Sequence, residues 1–115
     1  MTIAEFYSIT GGDYREATSR LMNDALILRF IKKFPLDPSF ASLEEALSRD
    51  ATEEAFRHAH TLKGVAGNLA FARLASSAST VTEALRAGNL EEGKAAFPKL
   101  KEDYDAVIAA LSEVA

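Results

Sequence analysis

The sequence has no cysteine, which removes disulfides, thiol catalysis and cysteine-ligated metal and fits a reducing compartment. It has no run of basic residues. Thirteen Lys and Arg stand against 17 Asp and Glu, a net charge of -4, so the basic patch that nucleic-acid phosphates need is missing. No stretch approaches the roughly 18 apolar residues of a membrane span, and the N-terminus, with Glu5 and no basic segment, does not read as a secretory signal. No period-two alternation is long enough for a strand. These absences point to a soluble, cytoplasmic, all-α chain. Its 115 residues suffice for one domain over 1–115 with a core that needs no covalent staples.

What is present reads as a series of amphipathic helices. Residues 1–8 suit a short helix anchored by Ile3, Phe6 and Tyr7 that needs packing to persist and would lid a bundle. After the Gly11-Gly12 break, Asp13 and Glu16 have the spacing of a capping box for a helix to about Leu21, and Asn23-Asp24 restarts the chain. Between 25 and 34, Ala25, Ile27, Leu28, Phe30, Ile31 and Phe34 predict a broadly buried helix. Pro35 and Pro38 remove two backbone donors and break it. A helix over 39–49 turns Phe40, Leu43, Ala46 and Leu47 inward. The next starts at a cap on Asp50 or Thr52, runs over about 52–69 and frays over 68–70. Residues 71–87 place Leu74, Ala78, Val81 and Leu85 on one stripe, and Gly88-Asn89 stops them. Residues 90–114 carry Leu100, Tyr104, Val107 and Leu111 on one face, with Pro98 expected to kink or restart the helix. The predicted architecture is an antiparallel four-helix bundle with short additional N-terminal helices.

The helix over 52–69 carries the chemistry. On a wheel of about 100° per residue, Ala55, Ala59, Leu62, Ala66 and Leu69 share an arc of about 80°, the core stripe. His60 lies about 140° from its centre and Gly64 almost opposite, so both face water. An exposed histidine can offer an unprotonated ring nitrogen near neutral pH for metal binding, proton transfer or nucleophilic attack. No second His, Cys or carboxylate stands at ligand spacing. Instead, Lys63 lies one turn on, a cation suited to an anion on the ring, and Gly64 and Gly67 clear the same flank. Each glycine costs about 1 kcal/mol relative to alanine in a helix, and the compensating reason available is the close approach of a large partner. The implied anion is a phosphoryl group. His58 competes by residue type, but it sits about 60° from the core centre and lacks the lysine and glycine that follow His60. Arg57 and Phe56, one turn before His60, are candidates for the docking surface, as a charge and an apolar contact, and read equally as ordinary surface and edge packing.

Ala59-His60-Thr61-Leu62-Lys63-Gly64, followed by Ala66-Gly67-Asn68-Leu69, resembles the His-x-x-Lys-Gly signature of histidine-containing phosphotransfer (HPt) domains. The resemblance extends over nearly the whole chain. Many relatives carry Gly where this sequence has Ala70, which implies a different cap on the helix. The resemblance implies a phosphorelay intermediate, not an enzyme. His60 would take a phosphoryl group from the phosphoaspartate of one receiver domain and pass it to the aspartate of another, with Lys63 stabilising charge.

Implied partners are response-regulator receiver domains and a hybrid sensor histidine kinase, with no nucleic acid and no membrane. The chain needs no cofactor of its own, the divalent metal coming from the receiver, and a free-standing monomer is expected. Two other readings stand beside this one. One is a helical module that docks receivers without being phosphorylated. The other is a dimerised histidine kinase core, which would need a nucleotide-binding segment that the sequence does not contain.

Overall fold

The structure, a computed structural model, describes residues 1–114. The expected end of the last helix, Val114, is therefore inside it, and Ala115 lies outside the described residues. Seven α-helices follow one another: α1 (Ile3–Thr10), α2 (Tyr14–Leu21), α3 (Asp24–Lys33), α4 (Ser39–Ser48), α5 (Thr52–Asn68), α6 (Ala72–Arg86) and α7 (Leu90–Leu111), with a 3-10 turn at Phe34–Leu36 between α3 and α4. The fold is all-helical among the described residues. The principal packing runs α4 on α5, α5 on α6 and α6 on α7, which makes these four the bundle, with α1 to α3 added at its N-terminal side.

Residue chemistry explains most of the boundaries. Thr2 and Glu5 form a reciprocal capping box that moves the first helix to Ile3–Thr10, two residues beyond the expected 1–8. The expected box at α2 is only half made. The Asp13 carboxylate accepts from the Glu16 N–H at 3.0 Å, but Glu16 pairs with Arg20 at 2.7 Å, because the Asp13 N–H already donates to the Ala70 carbonyl at 2.9 Å. Helix α3 is less buried than its periodicity suggests. Only Ile27 and Ile31 are buried within it, and Ala25 and Phe30 are exposed, since α3 rests on α2 and the 3-10 turn at the rim of the bundle. Pro35 ends α3 as expected, and the 3-10 turn separates two helices.

Three expectations around the bundle helices are corrected. Neither Asp50 nor Thr52 caps α5: Ala51 occupies the cap position without a side-chain bond. Asp50 instead takes a left-handed backbone conformation and gives its carboxylate to Lys94 of α7, while Arg49 bridges Glu45 and Glu54 across the α4–α5 junction. Pro98 does not start a new segment: α7 runs through it as one helix. The proline is exposed, so its ring and its missing donor fall on the outer face, while Gly93, Leu100 and Val107 hold both halves in the core. Residues 68–70 do not fray. The Phe71 N–H donates to the Ala66 carbonyl at 2.9 Å and the Ala70 N–H to that of Gly67 at 3.0 Å, a Schellman termination of α5.

Ala70 thus adopts the left-handed conformation, φ 58°, that a glycine would take at this position. The N-terminal helices close over this same turn. The Tyr7 hydroxyl donates to the Leu69 carbonyl at 2.8 Å, and burial pushes its phenol pKa upward, so it remains a donor at neutral pH. The Phe71 ring packs against Phe6, Tyr7 and Phe34 at centroid distances of 5.6, 5.9 and 5.2 Å. Ala70→Gly should relieve the backbone strain and raise the unfolding free energy by up to about 1 kcal/mol, less the small contribution of the lost methyl. A rise in the urea midpoint at constant slope checks this.

Candidate functional site

Helix α5 is positioned from one side only. Ala55, Ala59, Leu62 and Ala66 are buried against α4 and α6, and the small alanines let those neighbours approach closely. The opposite flank is left open. His60 is exposed, Lys63 is half-buried one turn further on, Gly64 is exposed and Gly67 half-buried. Neither His60 nor Lys63 makes a side-chain hydrogen bond or ion pair among the described residues, so both retain their full capacity for an incoming anion.

The glycines answer a specific question. A Cβ built on Gly64 or on Gly67 meets nothing within 4 Å. No neighbour within the molecule therefore requires either glycine, and their poor helix propensity is not offset by internal packing.

Phe56 stands half-buried with its ring nearly parallel to the His60 imidazole, at 5.8 Å between centroids and 23° between planes. Arg57 is exposed, and its carbonyl accepts from the Thr61 hydroxyl at 3.0 Å. His58 is half-buried and lines a polar recess of about 280 Å³ with Ala41, Ser42, Glu45, Arg49 and Glu54. The bond and charge of Arg49 hold the Glu54 carboxyl below its usual range, with smaller effects from Arg57 and His58. His58 thus belongs to the α4–α5 junction and is separated from the His60 flank.

Two residues at the site were not found by reading the sequence. Arg86 of α6 places its guanidinium over the Phe56 ring, 4.9 Å from Cζ to centroid, and its Nε donates to Glu83 at 2.9 Å. That bond is the main reason the Glu83 carboxyl lies below its usual range, with the charges of Lys63 and His60 adding to it. The i,i+3 spacing of Glu83 and Arg86 was visible, but the register of α6 against α5 was not. Beside them, Thr52, Glu53, Phe56, Leu85, Arg86 and Gly88 line a cleft of about 330 Å³. No cluster of three or more His, Cys, Asp or Glu able to hold a metal ion occurs among the described residues.

The family model described as Hpt domain matches residues 36–110, more than half of the chain and the whole of α4, α5 and α6. The chain belongs to the Hpt domain family. Hpt domains are phosphocarrier modules of two-component signalling that interact with receiver domains and kinases, and the helical bundle fits that fold. The match leaves α1 to α3 outside it. No match is found among curated proteins or among solved structures. No described helix of this Hpt domain is long and apolar enough to cross a membrane.

Open space at Gly64 makes its effect on the free Hpt domain predictable. Gly64→Ala should stabilise it by about 1 kcal/mol, because the new methyl meets no neighbour and helix propensity improves. Thermal melts of the two proteins check this. An unchanged or lower melting temperature would contradict the open space at Gly64.

Proposed function

We propose that this chain, acting as one domain over 1–115, is a phosphorelay intermediate whose phosphoacceptor is His60. The observation that supports it best is the unused flank of α5: an exposed imidazole and a lysine one turn on, without internal partners, beside two glycines that no internal neighbour requires. In the forward step, the lone pair of the unprotonated ring nitrogen attacks the phosphorus of a receiver's aspartyl phosphate. The N–P bond forms as the P–O bond breaks, and the aspartate leaves as a carboxylate with the bonding pair. The second ring nitrogen then releases its proton to solvent, so the phosphoimidazole ring carries no added positive charge. Transfer to the next receiver is the same exchange in reverse.

Each residue then has a defined contribution. Lys63 neutralises part of the charge on the moving phosphoryl group, and the exposed position of His60 permits an in-line approach. Gly64 and Gly67 let the receiver surface close on the α5 backbone, with Phe56 and Arg57 at the margin of the contact. The divalent ion and most of the donors to the phosphoryl oxygens come from the receiver. Its partners are response-regulator receivers and a hybrid sensor histidine kinase; it acts as a cytoplasmic monomer and is not itself an enzyme.

His60→Gln should abolish acid-labile labelling from a phosphorylated receiver and from phosphoramidate while leaving the helical circular dichroism unchanged. Label appearing on His58 in this variant would refute the assignment. Receiver binding by the wild-type chain with no label from either donor would favour a docking module instead. Lys63→Ala should slow transfer by about one to two orders of magnitude through loss of a charge-assisted contact with phosphate. A wild-type rate at low salt would remove Lys63 from the mechanism.

Gly64→Gln separates docking from chemistry. The variant should keep most of its reaction with phosphoramidate, which needs no large contact surface, and lose transfer from a receiver by about tenfold or more. Equal transfer rates for variant and wild type would refute the docking role of Gly64.

A further inference from the structure

The transfer step above makes no use of the ion pair that α6 holds beside His60. Arg86 Nε donates to Glu83 at 2.9 Å, and the guanidinium sits 4.9 Å from the centre of the Phe56 ring, which itself stacks beside the His60 imidazole. Both partners are about half exposed, at 52% and 57% for their side chains. A surface pair of this kind contributes little to folding. Its position matters more: a carboxylate and a guanidinium of opposite charge both stand at the margin of the phosphoacceptor, on a helix fixed against α5 by the buried stripe Leu74, Ala78, Val81 and Leu85.

We propose that the Glu83–Arg86 pair sets how firmly His60 holds its phosphoryl group. The inference rests on the phosphocarrier reading and deepens it. Phosphorylation replaces an uncharged ring nitrogen with a group bearing close to two negative charges. Glu83 repels that group and Arg86 attracts it. The guanidinium has N–H donors beyond the one bonded to Glu83, so it can serve the phosphoryl oxygens while staying paired. Glu83 therefore weakens the phosphohistidine and Arg86 strengthens it. A carrier that must both accept from one aspartyl phosphate and donate to another aspartate works best when neither transfer is strongly downhill, and an adjacent pair of opposite charges holds the balance near that point. Arg86 and Glu83 are positioning charges in this scheme; the bond-making nitrogen remains that of His60.

The test uses the full chain as wild type, Glu83→Gln and Arg86→Gln, each incubated with one radiolabelled phosphorylated receiver domain until the label no longer redistributes. At equilibrium the docking energy cancels, because the receiver is free before and after transfer, so the partition of label reports the phosphohistidine alone. At low salt, Glu83→Gln should move the partition towards phospho-His60 by about three- to tenfold, and Arg86→Gln should move it the opposite way by a similar factor, as expected for one unit charge within about 10 Å of a dianion. Both shifts should shrink at about 0.5 M salt. If the pair merely braced α6, the two variants would move the partition in the same direction, and that result overturns the proposal. So does an unchanged partition in both variants when the wild type is labelled. A wild type that takes no label from the receiver or from phosphoramidate overturns the carrier reading, and this inference with it.

Discussion

The structure depends on burying one face of α5 while leaving the other bare. Alanine is the residue that permits both. At positions 55, 59 and 66 it removes the helix surface from water without pushing α4 or α6 away, and Leu62 fills the space between them. A stripe of larger side chains would give more apolar burial per residue but would set the neighbouring helices further apart. With α5 gripped along this narrow line, its outer flank needs no bulk for stability, and His60, Lys63, Gly64 and Gly67 are released from any packing duty. The same close approach of α6 brings Glu83 within electrostatic range of the histidine and Arg86 over the Phe56 ring beside it. Core and site are thus two sides of one helix, and the dimensions of the first determine what reaches the second.

The sequence made this arrangement readable where periodicity governs. The core stripe of α5 and the opposite placement of His60 and Gly64 need only the pitch of a helix, and the structure has them on the expected sides. Where a residue's behaviour depends on a distant partner, local rules failed. Asp13 has the spacing of a capping box, yet its N–H is already bonded to Ala70, more than fifty positions along the chain. Asp50 has the chemistry of a cap and is engaged by Lys94 instead. Ala25 and Phe30 carry a helical repeat that has no neighbour to bury it, because α3 lies at the rim. Pro98 could have restarted the helix by its own geometry, but packing on either side of it carries α7 through as one element. Glu83 and Arg86 were missed for the same reason: the register between two helices is set by side-chain interdigitation along both, and no window on one helix contains it.

His60 also has neighbours on its own flank that are not themselves chemical. The Phe56 ring has both the His60 imidazole and the Arg86 guanidinium as neighbours, at 5.8 and 4.9 Å from its centre. An exposed histidine ordinarily samples several rotamers. A flanking aromatic ring held by a cation on the neighbouring helix restricts that sampling without burying the nitrogens, so the imidazole stays available and oriented together.

The aromatic cluster around Phe71 has a consequence for what counts as the unit of inheritance. The family pattern begins at residue 36, but Phe71, inside it, is surrounded by Phe6, Tyr7 and Phe34, all outside it. The turn that ends α5 is closed by two further bonds to the same outside region, from the Tyr7 hydroxyl to Leu69 and from the Asp13 N–H to Ala70. The portion that carries the signature therefore has part of its core and the turn after α5 covered by residues outside it. Recombination that transplanted the signature segment alone would deliver a bundle with an open end and a phenylalanine facing water, whereas one that carried α1 to α3 along would deliver a closed one. The N-terminal helices can diverge in sequence as long as they still present an aromatic wedge and a hydroxyl to that turn, a requirement on shape that a linear family pattern does not register.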